Sequence, residues 1–426
     1  MGKPTTALNE QLGAGDLRPA PARRLNPAEL KIDILCSGIR IGESFQVVGE
    51  GRPLVRTRAG LGSGLEMVIP GRPRDVWVNA PVVESFAARS RYLLQNDGKS
   101  WALLDESAGH RYPVSLAPKP QWYDRRTSGG ALMSRIATLQ GTCLSIYIGE
   151  TCRFWSPEHP LNCKFCTTGL NVGRDEEAEK SVQDVVETAL AAKAESGVTF
   201  VHFNSGYQGA RGLTKVFPYV EAVKSLVGLL VGVQFIPEQD FTQYDTAIRL
   251  GVDHFSFCFE FYNIDYFRRY LPGKTTILGR DIFLRAMEYT SRKMGKGRVS
   301  GEIIAGIEPL QDTFRAIEYI VRAGAFPFVC IFRPLIGSQM ENYPPPSYGD
   351  MLRVFQHVYR TCRNHNLPVG IAPNIKVSLS LQPDDTLYLS EGKARDRFYL
   401  AWMELLRSLM RPYFARRMRP RASNNQ

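Results

Sequence analysis

Three cysteines in one short segment are the residues of this 426-residue chain whose types and spacing point most directly to chemistry. Ten residues separate Cys152 from Cys163, and two residues separate Cys163 from Cys166. Three thiolates with no fourth cysteine nearby suit a four-iron cluster in which the protein holds three irons and one iron stays open for a small-molecule ligand. The spacing therefore predicts a reactive metal centre.

Zinc is the alternative metal for this segment. A paired CxxC is also typical of zinc sites, and His159 lies between the cysteines as a candidate fourth ligand. The flanking sequence favours the cluster, because an apolar run at 144–149 predicts a buried strand before the loop and the charged stretch 175–193 predicts a helix after it. Strand, loop and helix form the opening unit of a βα fold rather than a free-standing zinc finger.

Strand-like apolar runs alternate with helix-length segments beyond the cysteines, which is typical of parallel βα units. The predicted strands are residues 144–149, 199–204, 232–236, His254–Glu260, 298–307 and 326–332. A seventh run at 369–379 is predicted either to extend this sheet or to close its floor. Residues 393–410 predict an amphipathic helix with Phe398, Trp402, Leu405 and Leu409 on one side.

The CxxC pair, with an aromatic residue before its second cysteine and a strand before its loop, resembles the cluster motif of the radical SAM superfamily. The usual first spacing in that superfamily is three residues, whereas here it is ten. The segments WYDRRTSGGALMSRIATLQG, VNAPVVESFAARSRYLL, VQFIPEQD and LPGK are similar to a poorly characterised branch encoded beside nitrilase genes. The resemblance extends over residues 78–377.

This resemblance implies a [4Fe-4S] cluster on the three cysteines and S-adenosyl-L-methionine (SAM) at the open iron. It implies reductive cleavage of SAM to a 5′-deoxyadenosyl radical that takes hydrogen from a small-molecule substrate, with an electron donor such as flavodoxin or ferredoxin. The association of that branch with nitrilase genes suggests nitriles, cyanide or small nitrogenous metabolites as substrates. The alternatives are a non-catalytic zinc or iron–sulfur binding or sensing protein, and a non-radical transfer of the aminocarboxypropyl group of SAM.

The fold that the resemblance implies is α/β, a partial (β/α)6 TIM-like radical SAM barrel over residues 121–380. Short β-like stretches punctuated by Gly and Pro predict a β-rich accessory domain at 29–120. Residues 1–28 are rich in Gly, Pro and Ala and are predicted to be disordered. Residues 381–426 are predicted to form a basic C-terminal helix and tail.

Functional residues of βα barrels gather where strands end, and the second predicted strand ends at Asn204, Ser205 and Gly206. The superfamily usually carries a glycine-rich motif for the methionyl amino group of SAM at this place, although its acidic residue is missing here. Gly206 permits close approach of the backbone to a ligand. The alternative is an ordinary turn, since these residue types also favour turns.

Three polar residues end the third and fourth predicted strands. The end of the third strand carries Gln234 and Glu238, which are candidates for binding SAM or the substrate, and a solvated loop acid is the alternative for Glu238. Glu260 ends the fourth strand between aromatic residues, where an unpaired charge would be costly unless something binds it.

The last two predicted strands contribute three further candidates. Gly306 and Ile307 lie in a segment that resembles the adenine-packing segment of the superfamily, and a core strand is the alternative interpretation. Arg333 suits a carboxylate of SAM or substrate, with a structural salt bridge as the alternative. Cys258 and Cys330 lie in apolar runs and are predicted to be core residues, so no second cluster is expected.

The composition of the chain indicates which classes of partner and which compartment to expect. The net charge of +11 is concentrated at the two ends of the chain, so a nucleic-acid partner is not indicated. No run of 18 apolar residues is present, which predicts no membrane span. The chain has eight cysteines, and those outside the trio are scattered, which argues against a disulfide framework. These features predict a cytoplasmic protein.

Overall fold

A computed structural model describes residues 23–42, 55–57 and 62–421 of the chain, which fold as two seven-stranded sheets with helices. The mixed α/β class predicted from the sequence is therefore confirmed. Most of segment 1–28, predicted to be disordered, lies outside the described residues. Residues 23–28 are described, with Leu25 buried and a helix beginning at Pro27.

The first sheet is built from seven short strands and is mostly antiparallel, in the spatial order β1-β5-β6-β7-β3-β2 with β4 paired to β3. The strands are β1 Arg40–Ile41, β2 Val55–Thr57, β3 Gly62–Ile69, β4 Val76–Pro81, β5 Tyr92–Asn96, β6 Trp101–Asp105 and β7 His110–Leu116. Helix α1, Pro27–Ser37, packs beside β4. It begins at Pro27 because the side chain of Asn26 accepts hydrogen bonds from the first free N–H groups.

The second sheet carries the cysteine loop. Its strands are β8 Thr138–Gln140, β9 Cys143–Tyr147, β10 Phe200–Asn204, β11 Leu230–Gln234, β12 His254–Glu260, β13 Val299–Ala305 and β14 Phe326–Ile331. Strands β9 to β14 are parallel and adjacent in chain order, and β8 pairs antiparallel with β9. All six parallel strands predicted from apolar runs are confirmed, each within two residues at both ends. The carboxyl ends of β9 to β14 therefore lie along one edge of the sheet.

Ten further helices connect or follow the strands in the described part of the chain. They are α2 Met133–Ile136, α3 Val182–Ser196, α4 Phe217–Ala222, α5 Thr242–Leu250, α6 Ile264–Tyr270, α7 Pro272–Ile277, α8 Asp281–Met294, α9 Leu310–Arg322, α10 Tyr348–Asn364 and α11 Ala394–Arg417. Helix α3 begins later than the predicted residue 175, because Ser181 and Asp184 cap each other's backbone N–H groups. Across the described ranges, no helix has both the length and the apolarity needed to cross a membrane.

The seventh apolar run, 369–379, does not extend the sheet as a strand. It lies across the amino-terminal ends of the parallel strands, where Thr199 donates a hydrogen bond to the carbonyl of Pro373 at 2.7 Å and Thr142 accepts one from the N–H of Lys376 at 2.8 Å. Its position agrees with the prediction that this run closes the floor of the sheet. The alternative prediction, that it adds a strand to the sheet, was wrong.

The last described helix was predicted correctly in kind, but its buried side was not. Helix α11 exposes Phe398, Leu405 and Leu409, whose accessible fractions are 78%, 56% and 65%. It buries Tyr399 and Met403 instead. Both sides of the helix carry large apolar residues, so apolar spacing alone did not identify the side that packs inward.

Glu66 on β3 gives the fold a pH dependence. Its carboxylate accepts hydrogen bonds from Asn79 at 3.0 Å and Ser378 at 2.6 Å, while burial raises its pKa to about 7. Because the folded protein holds this proton more tightly than the unfolded chain, stability falls as the pH rises from about 4.5 to about 7. Denaturant titrations should show Glu66→Gln more stable than wild type at pH 8 by about 1 to 3 kcal/mol. A wild-type pH profile that the variant reproduces would contradict this role.

Candidate functional site

The cysteine loop begins where β9 ends and is joined to the loop that follows β10. The N–H of Ile148 donates to the carbonyl of Asn204 at 2.8 Å, and the N–H of Arg153 donates to the carbonyl of Tyr207 at 2.9 Å. The N–H of Gly206 also donates to the hydroxyl of Tyr147 at 3.2 Å. Two loops that the sequence assigned to separate roles thus form one unit at the carboxyl edge of the sheet.

Gly206 lies directly against Cys152. A Cβ atom on Gly206 would lie 2.3 Å from the Cβ and 2.8 Å from the Sγ of Cys152, distances that allow no side chain. The next residue, Tyr207, donates its backbone N–H to the Cys152 sulfur at 3.2 Å. The predicted close approach at Gly206 is present, and its partner in this structure is the first cysteine of the trio.

The other two cysteines are held in a tight turn. The N–H of Cys166 donates to the carbonyl of Cys163 at 2.9 Å, and the hydroxyl of Thr168 lies 3.1 Å from the Cys166 sulfur. Phe165 packs edge-on against Phe261, with ring centroids 6.2 Å apart. The aromatic residue of the CxxC motif therefore anchors this turn to the segment that follows β12.

Burial and neighbouring charges set the pKa of the two thiols in this turn. Burial raises the pKa of both Cys163 and Cys166, and negative charge on Cys152 would raise it further. Lys274 acts in the opposite direction on both thiols. This lysine is the cation that favours thiolate formation in the turn.

Lys274 pairs with Glu260 beneath the cysteines. Its ammonium group lies 2.6 Å and 2.7 Å from the two carboxylate oxygens, and it also donates to the carbonyl of Cys258 at 2.8 Å. Glu260 adopts φ +52° where the pairing of β12 with β13 shifts register, which redirects its side chain. Burial lowers and Glu260 raises the pKa of Lys274, with a net increase. The sequence predicted that Glu260 needs a partner but did not identify this lysine.

A second cluster of polar side chains lies on the parallel strands themselves. Gln234 donates to the carboxylate of Glu302 at 3.1 Å and also contacts the sulfur of Cys258. The amide of Asn204 lies 3.4 Å from the hydroxyl of Ser145, and the N–H of Ser205 donates to the Gln234 carbonyl at 3.1 Å. Glu302 was not predicted as a site residue, because its position within an apolar run is typical of core strands.

Glu238 and Arg333 make contacts typical of structural residues. The carboxylate of Glu238 accepts hydrogen bonds from the N–H groups of Leu213 at 2.8 Å and Arg211 at 3.1 Å, so it shapes the segment after β10. Arg333 is buried, donates to the carbonyl of Asn79 at 2.9 Å and lies 3.7 Å from Glu84. Arg333 thus joins the two sheets, as in the salt-bridge alternative.

The remaining candidates lie after β13 and within the cysteine loop. Gly306 has φ +100° and its missing Cβ would lie 2.2 Å from Pro346, which explains the glycine, while Ile307 packs half-buried on the core. The Nδ1 atom of His159, the candidate zinc ligand, lies 2.8 Å from the amide nitrogen of Asn162. Within the described ranges, no three His, Cys, Asp or Glu side chains stand in a finished metal-ligand arrangement.

Comparison with known proteins relates part of the chain to an enzyme. A stretch of 120 residues, 28% of this chain, is 27% identical to the bacteriochlorophyllide c C-7(1)-hydroxylase of Chlorobaculum limnaeum and spans 30% of that protein. No protein-family model matches the chain. The match covers less than a third of either protein.

Among solved structures, the chain is similar to SuiB of Streptococcus suis bound to S-adenosylmethionine, with a TM-score of 0.41, 11% identity, and 53% of this chain and 48% of that chain covered. It is also similar to a radical SAM methyltransferase from Sphaerobacter thermophilus, with a TM-score of 0.41, 13% identity, and 66% and 78% of the two chains covered.

Proposed function

We propose that this chain is a radical SAM enzyme that acts on a small molecule. The observation that carries the proposal is the position of the cysteine loop at the carboxyl edge of six parallel strands, where Gly206 of the neighbouring loop lies directly against Cys152. The 120-residue similarity to a hydroxylase supports an enzymatic role. Non-catalytic metal binding would not require the glycine-containing loop after β10 to lie against the cysteines.

The donor set fits a [4Fe-4S] cluster. Cys152, Cys163 and Cys166 would hold it, because one loop supplies three thiols and no fourth, and Lys274 favours the thiolate form of the last two. Together with SAM, a bound cluster supplies a 5′-deoxyadenosyl radical through one-electron reductive cleavage. All eight cysteines are free in the described residues, which suits the reducing compartment that the proposal assigns to this protein.

The residues of the chain itself position and shield the reacting groups. Gly206 and the backbone around Asn204 and Ser205 offer carbonyl groups that suit the methionyl ammonium group of SAM. Phe154 stacks on Tyr207 with ring centroids 4.5 Å apart, which holds the cysteine loop against the loop that follows β10. The ion pair between Lys274 and Glu260 holds helix α7 against the end of β12, in the neighbourhood of Cys163.

We assign β9 to β14 and their helices to a partial (β/α)6 barrel and the first sheet to an accessory domain. The sequential parallel order of the six strands supports this assignment. Within the superfamily we place the chain in the branch encoded beside nitrilase genes, on the segments quoted above, with a small nitrogenous substrate. Flavodoxin or ferredoxin would supply the electron in the cytoplasm.

The test is anaerobic iron–sulfur reconstitution of the full chain, followed by electron paramagnetic resonance of the reduced protein with and without SAM. We expect a four-iron signal that SAM perturbs, with 5′-deoxyadenosine and methionine as products. Cys163→Ala should lose the signal, whereas Cys362→Ala, a buried cysteine on α10, should retain it.

Two results would refute the proposal. A folded wild-type protein that binds zinc and builds no cluster would leave a metal-binding protein. Methylthioadenosine in place of 5′-deoxyadenosine would indicate transfer of the aminocarboxypropyl group of SAM.

A further inference from the structure

A cavity of about 720 Å³ is enclosed by the second sheet and the segments that follow it. Its walls come from β10 to β14, from the run 369–379 and from helix α11, and they reach the carboxyl ends of β10 and β11. The helix contributes one stripe of side chains at helical spacing, Trp402, Leu406 and Met410. This volume lies within the range of small-molecule sites, and the parallel strands give the cavity rigid walls.

Aromatic side chains form much of the lining. Phe200 and Phe326 are the first residues of β10 and β14, and Phe328 lies two residues further along β14. Trp402 and Phe414 face them from helix α11. Flat apolar walls of this kind favour a ligand that is itself planar and largely apolar.

Four polar residues of the lining each carry a buried nitrogen or oxygen atom that has no hydrogen-bond partner among the described residues. The atoms are Nε2 of Gln140, Nε2 of His202, Oδ1 of Asn204 and Nε2 of Gln382. The whole side chains of Gln140, Asn204 and Gln382 are at least nine-tenths buried. Unsatisfied buried polar groups are costly, so these four side chains are candidates to turn a donor or an acceptor toward a bound molecule.

The cavity offers little charge to a ligand. Burial lowers the pKa of His202 to about 4 and that of His254 to about 3, so both rings are neutral at neutral pH. Asp253 is paired with Lys224 at 2.9 Å and also with Arg417 of helix α11.

The remaining acids at the lining are also engaged. Asp384 is paired with Arg74 at 3.1 Å and Lys376 at 3.2 Å. Glu302, at the inner end, accepts a hydrogen bond from Gln234, and burial raises its pKa. The cations Lys296 and Arg298 belong to the segment before β13, at the outer end of the cavity.

We propose that this cavity is the substrate chamber, and that it binds an uncharged, planar, largely apolar molecule bearing both hydrogen-bond donors and acceptors. Asn204 and Gln234 connect the chamber to the proposed radical chemistry, since both line it and both end strands at the edge that carries the cysteines. The identity of the occupant as substrate rests on the proposed function, whereas the binding itself does not.

The experiment is equilibrium binding of N-phenyl-1-naphthylamine, an uncharged aromatic amine that fluoresces in apolar sites, to the full chain before cluster reconstitution. We expect saturable binding with one site per chain. Ala372→Trp, which adds bulk to a half-buried loop residue of the lining, should weaken binding at least 10-fold. Ala131→Trp, the same change at a half-buried loop alanine outside the cavity, should leave it within 2-fold.

Equal binding by Ala372→Trp and wild type would overturn the chamber. A sulfonated analogue, 1-anilinonaphthalene-8-sulfonate, should bind at least 10-fold more weakly than the uncharged amine, and equal or tighter binding would overturn the uncharged ligand class. If Ala372→Trp does not fold, energy transfer from tryptophan to the bound amine locates the site. Trp402→Phe should reduce this transfer more than Trp101→Phe does, and the reverse order would place the ligand elsewhere.

These measurements need neither the cluster nor SAM. Binding of the amine without a SAM-responsive iron signal would support the binding cavity and refute the radical chemistry. An iron signal without binding would do the reverse.

Discussion

Alanine at position 206 is expected to abolish cluster assembly. The added Cβ would lie within 3 Å of the Cβ, Sγ and Cα atoms of Cys152, and Cα belongs to the backbone, which cannot move aside as the end of a flexible side chain can. Gly206 does not occupy the left-handed region of backbone conformation, so alanine meets no torsional penalty and the contact alone is tested. Iron bound after anaerobic reconstitution should fall to the level of Cys163→Ala, a loss of at least about 10-fold by the close-packing argument.

The matched control is Gly349→Ala on α10, where an added Cβ meets nothing within 4 Å. This variant should reconstitute like wild type. A Gly206→Ala protein that is folded by circular dichroism and binds iron fully would show that Cys152 is not held in the observed position when the cluster forms. A parallel measurement of thermal unfolding separates the loss of a metal site from general destabilisation.

Lys274→Met is expected to cost about 3 to 5 kcal/mol of stability, because it leaves the buried carboxylate of Glu260 without its cation. Burial already raises the pKa of Glu260 to about 7 against the opposing effect of Lys274. Removing the lysine raises this pKa further, so the folded variant binds a proton that the unfolded chain releases near pH 4.5. The deficit should therefore grow as the pH rises from 6 to 9, which urea denaturation at several pH values would measure.

The double variant Lys274→Met with Glu260→Leu removes both charges and should recover most of the loss. A double variant as unstable as Lys274→Met would show that the lysine acts through packing rather than through the carboxylate. The two proteins should also differ in pH dependence, since only the single variant retains the buried acid.

The order of the parallel strands could be predicted from the sequence, because strands buried on both sides appear as uninterrupted apolar runs. The strand His254–Glu260 was placed without error. The start of α3 was missed because a cap depends on a single side-chain hydrogen bond at Ser181, which charge patterning does not reveal. The inward side of α11 was missed for a related reason, since both of its sides are apolar.

The candidate site was predictable where one segment carries all its residues and less so where the partners come from different segments. The cysteine trio is visible as spacing alone. Lys274 lies 14 residues after Glu260 on a separate helix, and nothing in the sequence connects the two. The sequence left two roles open for Arg333, binding a ligand or forming an ion pair. Its hydrogen bond to Asn79, 254 residues away in the chain, shows that it links the two sheets.

One wall of the cavity comes from the last helix that the structure describes, and this has a consequence for biosynthesis. The strands β9 to β14 leave the ribosome before α11, whose end is attached to the sheet by Arg417 on Asp253. A nascent chain can thus complete the cysteine-bearing edge while the opposite end of the sheet is still open to solvent. Premature termination before residue 394 would yield a protein with an intact cysteine loop and an uncovered aromatic interior, a species prone to aggregation.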